Sequence, residues 1–215
     1  MTDTTIKSLI NKLNSKKGND TMFLRPLSEN VSFAKVWLEG MDSSYEFYFI
    51  KHELRYVGAV LDMGQELHWY LLPKYRKKGL LSRAMEMEIL PHLFLFKDEQ
   101  RITIREEAVG RRNYINSQRV AERLGFRRMP NNEYYLSKSD FKGNEGNIGA
   151  NVKMSKERVQ YLKNNYKVAV GLIGKIVDEL KMSFNDADDL EHLYSDIKYS
   201  AWKLDDLFWK YNDKE

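Results

Sequence analysis

Apolar residues along the first two thirds of the chain fall into short runs that change between helical and strand spacing. Residues 3–14 place Ile6, Leu9, Ile10 and Leu13 three and four apart, with Lys7 and Lys12 elsewhere. This predicts an amphipathic helix packed on the protein's own body, its alternative seat being a membrane surface. Residues 15–20, SKKGND, read as a turn or connection. Residues 22–27 read as a strand. Ser28 then suits the N-cap of a helix through about residue 39, with Val31, Ala34, Val36, Trp37 and Leu38 as its apolar face. Residues 45–51 and 54–62 are two strands joined tightly at His52 and Glu53. The run 66–72 is a further strand, ended by Pro73. From Leu80 the pattern suits a helix, with Leu81, Ala84, Met85 and Met87 apolar, and Pro91 forces a kink or a restart into 92–95. Residues 101–107 form a strand with Ile102 and Ile104 on one face. The helices flanking it make a βαβ-like order, so it is expected to run parallel to 66–72. A helix over 113–124 closes at Gly125, and a hairpin around 130–132 joins 127–129 to 134–136.

The pattern changes after residue 141. Residues 142–152, KGNEGNIGANV, hold three Gly and three Asn and have the composition of a linker. Beyond them, Val159, Leu162, Tyr166, Val170, Ile173, Val177 and Leu180 follow steps of three and four. So do Leu190, Leu193, Ile197, Ala201, Leu204, Phe208 and Tyr211, after a break at Ser183 and Phe184 that Asn185 or Asp186 can cap. This predicts two long antiparallel helices with coiled-coil-like seams. Trp202 and Trp209 sit seven apart on one flank of the second. They either widen a buried stripe or form a partner or homodimer surface. The implied organisation is an N-terminal helix and connection over 1–20, a domain over 21–141, a linker over 142–152 and a helical hairpin over 153–215.

Composition narrows the chemistry. The chain of 215 residues has no cysteine, which excludes a disulfide framework, a thiol nucleophile and thiolate metal ligands, and fits a reducing cytoplasm. No metal site is expected. No apolar run approaches the length of a membrane span, and the N-terminus lacks a secretory pattern. A net charge of +4 is too small to indicate nucleic acid by itself.

The most informative stretch is 66–84, ELHWYLLPKYRKKGLLSRA: a strand, a basic turn ending in glycine, and a helix. Free N–H groups and the positive dipole end at a helix start attract an anion, and Gly79 permits close backbone approach. Lys74, Arg76, Lys77 and Lys78 add positive charge. The turn is a phosphate site or a solvated basic loop.

Arg76, Lys77, Lys78, Gly79, Leu80 and Leu81 resemble motif A of the acetyl-CoA-dependent N-acetyltransferases of the GNAT family: Arg or Gln, two residues, Gly, one residue, then Gly or Ala. Leu81 stands where the pattern has the small residue. Residues 113–126, NYINSQRVAERLGF, resemble the motif B helix of the branch containing ribosomal-protein N-terminal acetyltransferases. Ser117, Val120, Leu124, Gly125 and Phe126 match it, while Tyr114 occupies an Asn position. The resemblance spans roughly residues 20–140. It implies an α+β fold with a mixed, mostly antiparallel sheet flanked by helices, in which 45–51, 54–62 and 66–72 belong to an antiparallel meander. It also implies that the strands at 66–72 and 101–107 splay apart to admit the pantetheine arm of acetyl-CoA.

The implied reaction is direct attack of an amine, on a protein N-terminus or a small molecule, upon the thioester. Such chemistry needs a base for the ammonium, a donor for the developing carbonyl charge, and a proton for the leaving thiolate. The resemblance points to Glu66 as base. His68 shares its strand face and suits proton relay. Glu106 and Glu107 are weaker alternatives. The usual Tyr acid of the family falls at Ala121, which leaves Ser117. Backbone N–H groups near Tyr70, Leu71 and Leu72 would hold the carbonyl oxygen. The diphosphate would rest on Lys77, Lys78, Gly79, Leu80 and Leu81, helped by Arg76 and Lys74, with Asn113, Tyr114 and Ser117 lining the groove. The alternative is a protein of this type that binds acetyl-CoA without turnover and works through its C-terminal helices.

Overall fold

The computed structural model describes residues 1–15, 21–143 and 154–212. It divides into two compact units, Met1–Ala150 and Asn151–Glu215. The expected linker over 142–152 lies mostly outside the described residues, as does most of the connection at 15–20.

The first unit begins with α1 (Asp3–Asn14). Thr2 caps it, its Oγ1 accepting from the Thr5 N–H at 3.3 Å. Five strands follow in sequence order as one antiparallel sheet: β1 (Met22–Pro26), β2 (Val31–Trp37), β3 (Ser44–His52), β4 (Arg55–Asp62) and β5 (Leu67–Leu71). The first correction is β2. The helix expected over 28–39 is a strand, paired from Val31 to Trp37 with β3 and along Met22–Pro26 with β1. Ala34 and Val36 are buried while Lys35 and Trp37 face solvent, which is the two-residue period of a strand. Ser28 does cap, but it caps a hairpin turn: its Oγ accepts from Asn30 N (3.0 Å) and Val31 N (3.1 Å).

After β5 the chain makes a tight 3-10 turn, Pro73–Tyr75, then enters α2 (Leu80–Ala84), a π turn (Met85–Ile89) and α3 (Leu90–Leu93). The π turn is the physical answer to Pro91. Leu90 N–H reaches back to Met85 C=O, widening the helix just before a residue with no N–H and a ring that crowds the preceding turn. Next come β6 (Glu99–Thr103), α4 (Glu106–Val109), α5 (Arg111–Arg123), β7 (Arg127–Arg128) and β8 (Glu133–Ser137). Strand β6 pairs antiparallel with β8, and β8 with β7. The strand expected over 101–107 thus stops at Thr103. Glu106 and Glu107 lie in the first turn of α4, where carboxylates suit the helix dipole, and both face solvent.

Each face of the five-stranded sheet carries its own core. On one, Tyr48, Ile50, Val60, Leu67 and Leu71 meet Met85, Ile89, Leu90, Ala121 and Leu124 from the helices after β5 and from the end of α5. On the other, Phe47, Phe49, Ala59, Leu61 and Tyr70 meet Ile6, Leu9 and Ile10 of α1. The amphipathic N-terminal helix is therefore seated on the sheet.

Two titratable groups are sealed near the first core. His92 is buried, with Nδ1 2.8 Å from the Tyr48 hydroxyl. Burial, then the nearby Arg25 guanidinium, holds the imidazole below its usual range, so it is neutral and shares one hydrogen bond with the phenol through Nδ1. Burial pushes the Tyr48 phenol upward. Unfolded, His92 takes a proton near pH 6.5; folded, it resists until lower pH. The unfolded state therefore binds more protons in that window, and stability present above about pH 6.5 falls as pH drops below it, by at most about 1.4 kcal/mol per pH unit for one proton. Glu88, raised by burial, acts with the opposite sign above its ordinary range. We expect His92→Gln to flatten the acid side of the stability curve below pH 6.5, read by urea unfolding at several pH values. An unchanged slope would refute the assignment.

The second unit contains α6 (Lys156–Phe184), α7 (Asp189–Lys198) and α8 (Trp202–Asn212). The first helix of the expected hairpin is a single long element, but the second is broken at 199–201. Tyr166 on α6 donates its O–H to the Ile197 carbonyl at 2.5 Å, and Ser200 N–H takes the same carbonyl at 3.0 Å. Ser200 Oγ also bonds back to Asp196 C=O at 2.7 Å, which bends helices. Asn185 closes α6 in the left-handed region rather than opening the next helix. Asp186 caps the turn through the Asp188 N–H at 2.9 Å. Lys163–Asp205 (2.6 Å) and Lys181–Glu191 pair the arms in antiparallel order. Among the described residues no helix is long and apolar enough to cross a membrane.

Candidate functional site

The site grows from the place where β5 and β6 meet. They share a single parallel bridge, Glu66 with Arg101. Gln65 C=O fixes this apex by accepting from Arg101 N (3.0 Å) and Gln100 Nε2 (2.6 Å). Lys97 braces the turn before it, reaching Asp62 at 2.6 Å and Gly64 C=O at 2.6 Å. Beyond the apex the two strands pair with other neighbours and not with each other. The space between is a cavity of about 380 Å³. Leu67 to Leu71 form one wall and Ile102 to Ile104 the other, with the start of α2 and the 113–120 face of α5 closing it.

Antiparallel pairing decides which backbone groups face this gap. Leu72 N–H donates to Val57 C=O at 2.9 Å, so by alternation Tyr70 and His68 also turn their backbone groups to β4. Trp69 and Leu71 turn theirs to the gap. The Leu71 carbonyl already accepts from Arg76 Nε at 2.9 Å. Of the N–H groups of Tyr70, Leu71 and Leu72, that of Leu71 alone faces the gap.

Side chains alternate too. His68 and Tyr70 lie on the α1 side, and Trp69 and Leu71 on the α5 side. His68 Nε2 is 2.9 Å from Asp3 Oδ1, and both residues line the cavity. Glu66 is set back. It is outside the lining, and its carboxylate accepts from Thr103 Oγ1, which does line the cavity. On the opposite side, Trp69 Nε1 donates to Ser117 Oγ at 3.4 Å, so Ser117 can still offer its own O–H to the gap. Ala121 is fully buried and contributes nothing to the site.

The basic turn forms the far end. Lys77 (φ 63°) and Gly79 (φ 73°) both adopt left-handed backbone, which swings the chain into α2. The first helical bond runs from Arg83 N to Gly79 C=O at 3.0 Å, so the N–H groups of Leu80, Leu81 and Ser82 precede it. Arg76 is drawn inward. Besides Leu71 C=O it donates to Asn113 Oδ1 at 3.1 Å, tying β5 to α5 across the cavity. Lys74 and Lys78 sit over the Tyr75 ring, 4.9 and 5.3 Å from its centre, and outside the lining.

Of the residues singled out from the sequence, the structure gathers His68, Tyr70, Leu71, Arg76, Lys77, Gly79, Leu80, Leu81, Asn113 and Ser117 around one cavity. It leaves Glu66, Leu72, Lys78 and Tyr114 out. The Tyr114 ring packs on the core and its O–H reaches Asn132 Oδ1 at 3.3 Å, because it lies one position round the helix from the groove. Sequence reasoning missed Asn116 and Val120. The signal was present: 113, 116, 117 and 120 follow the i, i+3, i+4, i+7 rule for one helix face. Asp3, Trp69, Thr103 and Arg119 were also missed. Asp3 carries no local signal, since only the fold brings α1 to the β5 edge. No family model matches this chain, and no curated protein and no solved structure matches it.

Proposed function

We propose that the first unit is a GNAT-type N-acetyltransferase, moving acetyl from acetyl-CoA to a primary amine by direct attack in a ternary complex. The observation that carries this reading is the gap between β5 and β6, with an unpaired strand edge along it and a helix start beside a basic turn at its far end. An extended pantetheine arm suits the Trp69–Leu71 edge, and a diphosphate suits the N–H groups of Leu80 to Ser82 with Lys77. Acetyl-CoA supplies the activated acyl group. The chain's residues do the rest. His68, held by Asp3, stands on one face of the strand and takes the amine proton. Leu71 N–H meets the carbonyl oxygen as it gains charge. Ser117, on the opposite face, gives a proton to the departing sulfur. Direct attack uses a base for the amine and a proton for the leaving sulfur, and these two residues offer one on each side of the strand edge.

A second reading keeps acetyl-CoA binding without turnover. Its support is Ala121, buried where the resemblance would place a phenol, and Glu66, engaged by Thr103. Calorimetric titration with acetyl-CoA, followed by thiol release over a panel of small amines and peptide N-termini, separates the two. Binding with release supports the enzyme, binding without release on any acceptor supports the second reading, and absence of binding defeats both.

A further inference from the structure

Arg76 spans the cavity at its narrow end. The backbone groups of β5 that face the gap follow in order from the apex: the N–H and C=O of Trp69, then the N–H and C=O of Leu71. The Leu71 carbonyl is the last of them before the chain turns at Pro73. Arg76 Nε takes that carbonyl at 2.9 Å, and Arg76 Nη1 reaches Asn113 Oδ1 on α5 at 3.1 Å. Asn113 is held in this orientation, because its Nδ2 donates to Val109 C=O at 2.9 Å. The half-buried guanidinium is thus a bar from β5 to α5, standing between the basic turn and the rest of the strand edge.

The bar lies on the path of the donor. Under the acetyltransferase reading, on which this inference rests, the diphosphate sits at Leu80 to Ser82 and the thioester carbonyl at Leu71 N–H. The pantetheine arm that joins them passes the Leu71 carbonyl. An arm pairing with the strand edge there competes with Arg76 for one oxygen.

The guanidinium is also short of a strong partner. Two of its N–H donors are engaged, both by neutral oxygens, and others remain. Among the described residues no carboxylate forms an ion pair with it. Its Cζ lies 5.7 Å from the centre of the Tyr70 ring. A guanidinium bonds more strongly to a phosphate than to a neutral carbonyl, and its planar fork fits two phosphate oxygens at once. A diphosphate on the adjoining turn therefore draws Arg76 off both walls and frees the Leu71 carbonyl for the arm.

We propose that Arg76 restricts the donor: it is a bar across the cavity that a diphosphate releases and a neutral thioester does not. The donor class is then a thioester whose arm carries a diphosphate. S-acetyl-pantetheine has the same arm and thioester without the phosphates, and it meets the bar closed.

Calorimetric titration and thiol release, each with acetyl-CoA and with S-acetyl-pantetheine, test this. Loss of an anion contact alone leaves the neutral donor no better off, whereas loss of a bar improves it. Arg76→Ala should bind S-acetyl-pantetheine at least ~5-fold more tightly than wild type, and acetyl-CoA about 10-fold more weakly. Arg76→Lys keeps the charge but lacks the fork that spans both oxygens. It should show the same gain for S-acetyl-pantetheine, with acetyl-CoA affinity within about threefold of wild type. If wild type does not bind acetyl-CoA, the acetyltransferase reading falls and the bar with it. If wild type binds acetyl-CoA and neither variant gains affinity for S-acetyl-pantetheine, the bar alone is overturned.

Discussion

Gly79→Val is expected to reduce acetyl-CoA affinity at least ~100-fold, the largest loss of binding from any single change in the basic turn. The reason is conformational. Gly79 sits at φ 73°, ψ 1°, and a Cβ built there meets no atom within 4 Å beyond its own chain neighbours. The substitution thus crowds nothing in the free protein. It does make the left-handed backbone costly, by about 1–2 kcal/mol, and more for a β-branched side chain. The turn relieves that cost by moving φ to negative values, which swings the N–H groups of Leu80 to Ser82 out of convergence. The new side chain also occupies the space through which the turn approaches an anion. Loss of thermal stability should stay within a few degrees, since strain at one exposed turn is the only change to the folded state. Lys78→Ala serves as the contrast. Lys78 lies over Tyr75 outside the cavity, so its removal should change affinity less than threefold. Calorimetry reads both, and wild-type affinity in Gly79→Val would sink the diphosphate assignment.

The second large effect is on turnover. His68→Gln should lower acetyl transfer by about 10²–10⁴, the usual contribution of a positioned base, while acetyl-CoA affinity stays within threefold. His68 lines the α1 side of the cavity and is held at 2.9 Å by Asp3, whereas Glu66 reaches the cavity only through Thr103. Glu66→Gln should therefore cost less than His68→Gln. Asp3→Asn keeps a hydrogen-bonding partner but removes the charge, and should cost about 10-fold in turnover, with partial recovery in Asp3→Glu. Steady-state thiol release gives the comparison. If His68→Gln turns over at the wild-type rate on every acceptor that the wild type accepts, His68 is not the base.

Much of this architecture was legible in the residues. The period of α1, the strands flanking His52 and Glu53, the strand–turn–helix at 66–84, and Gly125 at the end of α5 all express local rules: apolar spacing, turn chemistry and capping. The i, i+3, i+4, i+7 face of α5 was equally legible and names four groove residues. Between 31 and 37 the local signal was ambiguous. Val31, Ala34, Val36 and Trp37 can be fitted to a helical face, and Ser28 caps a turn as readily as a helix. Pairing with β1 on one side and β3 on the other decided for strand, because each edge satisfies backbone groups that an isolated segment would satisfy by coiling.

The break between α7 and α8 shows the same limit. No Gly or Pro marks it. A hydroxyl from Tyr166, distant in sequence, takes the Ile197 carbonyl. The site divides along this line. Sequence alone determined that a basic turn with a glycine in its last position would precede a helix, and that Glu66 and His68 would share one face of the strand before it, because spacing and backbone sterics act over a few residues. Only the tertiary structure decided that β5 and β6 would touch at one bridge and then part, that Arg76 would turn inward to Leu71 and Asn113, and that Asp3 would arrive beside His68. Those outcomes depend on which strand edges find partners elsewhere, and that is settled by the packing of the whole sheet.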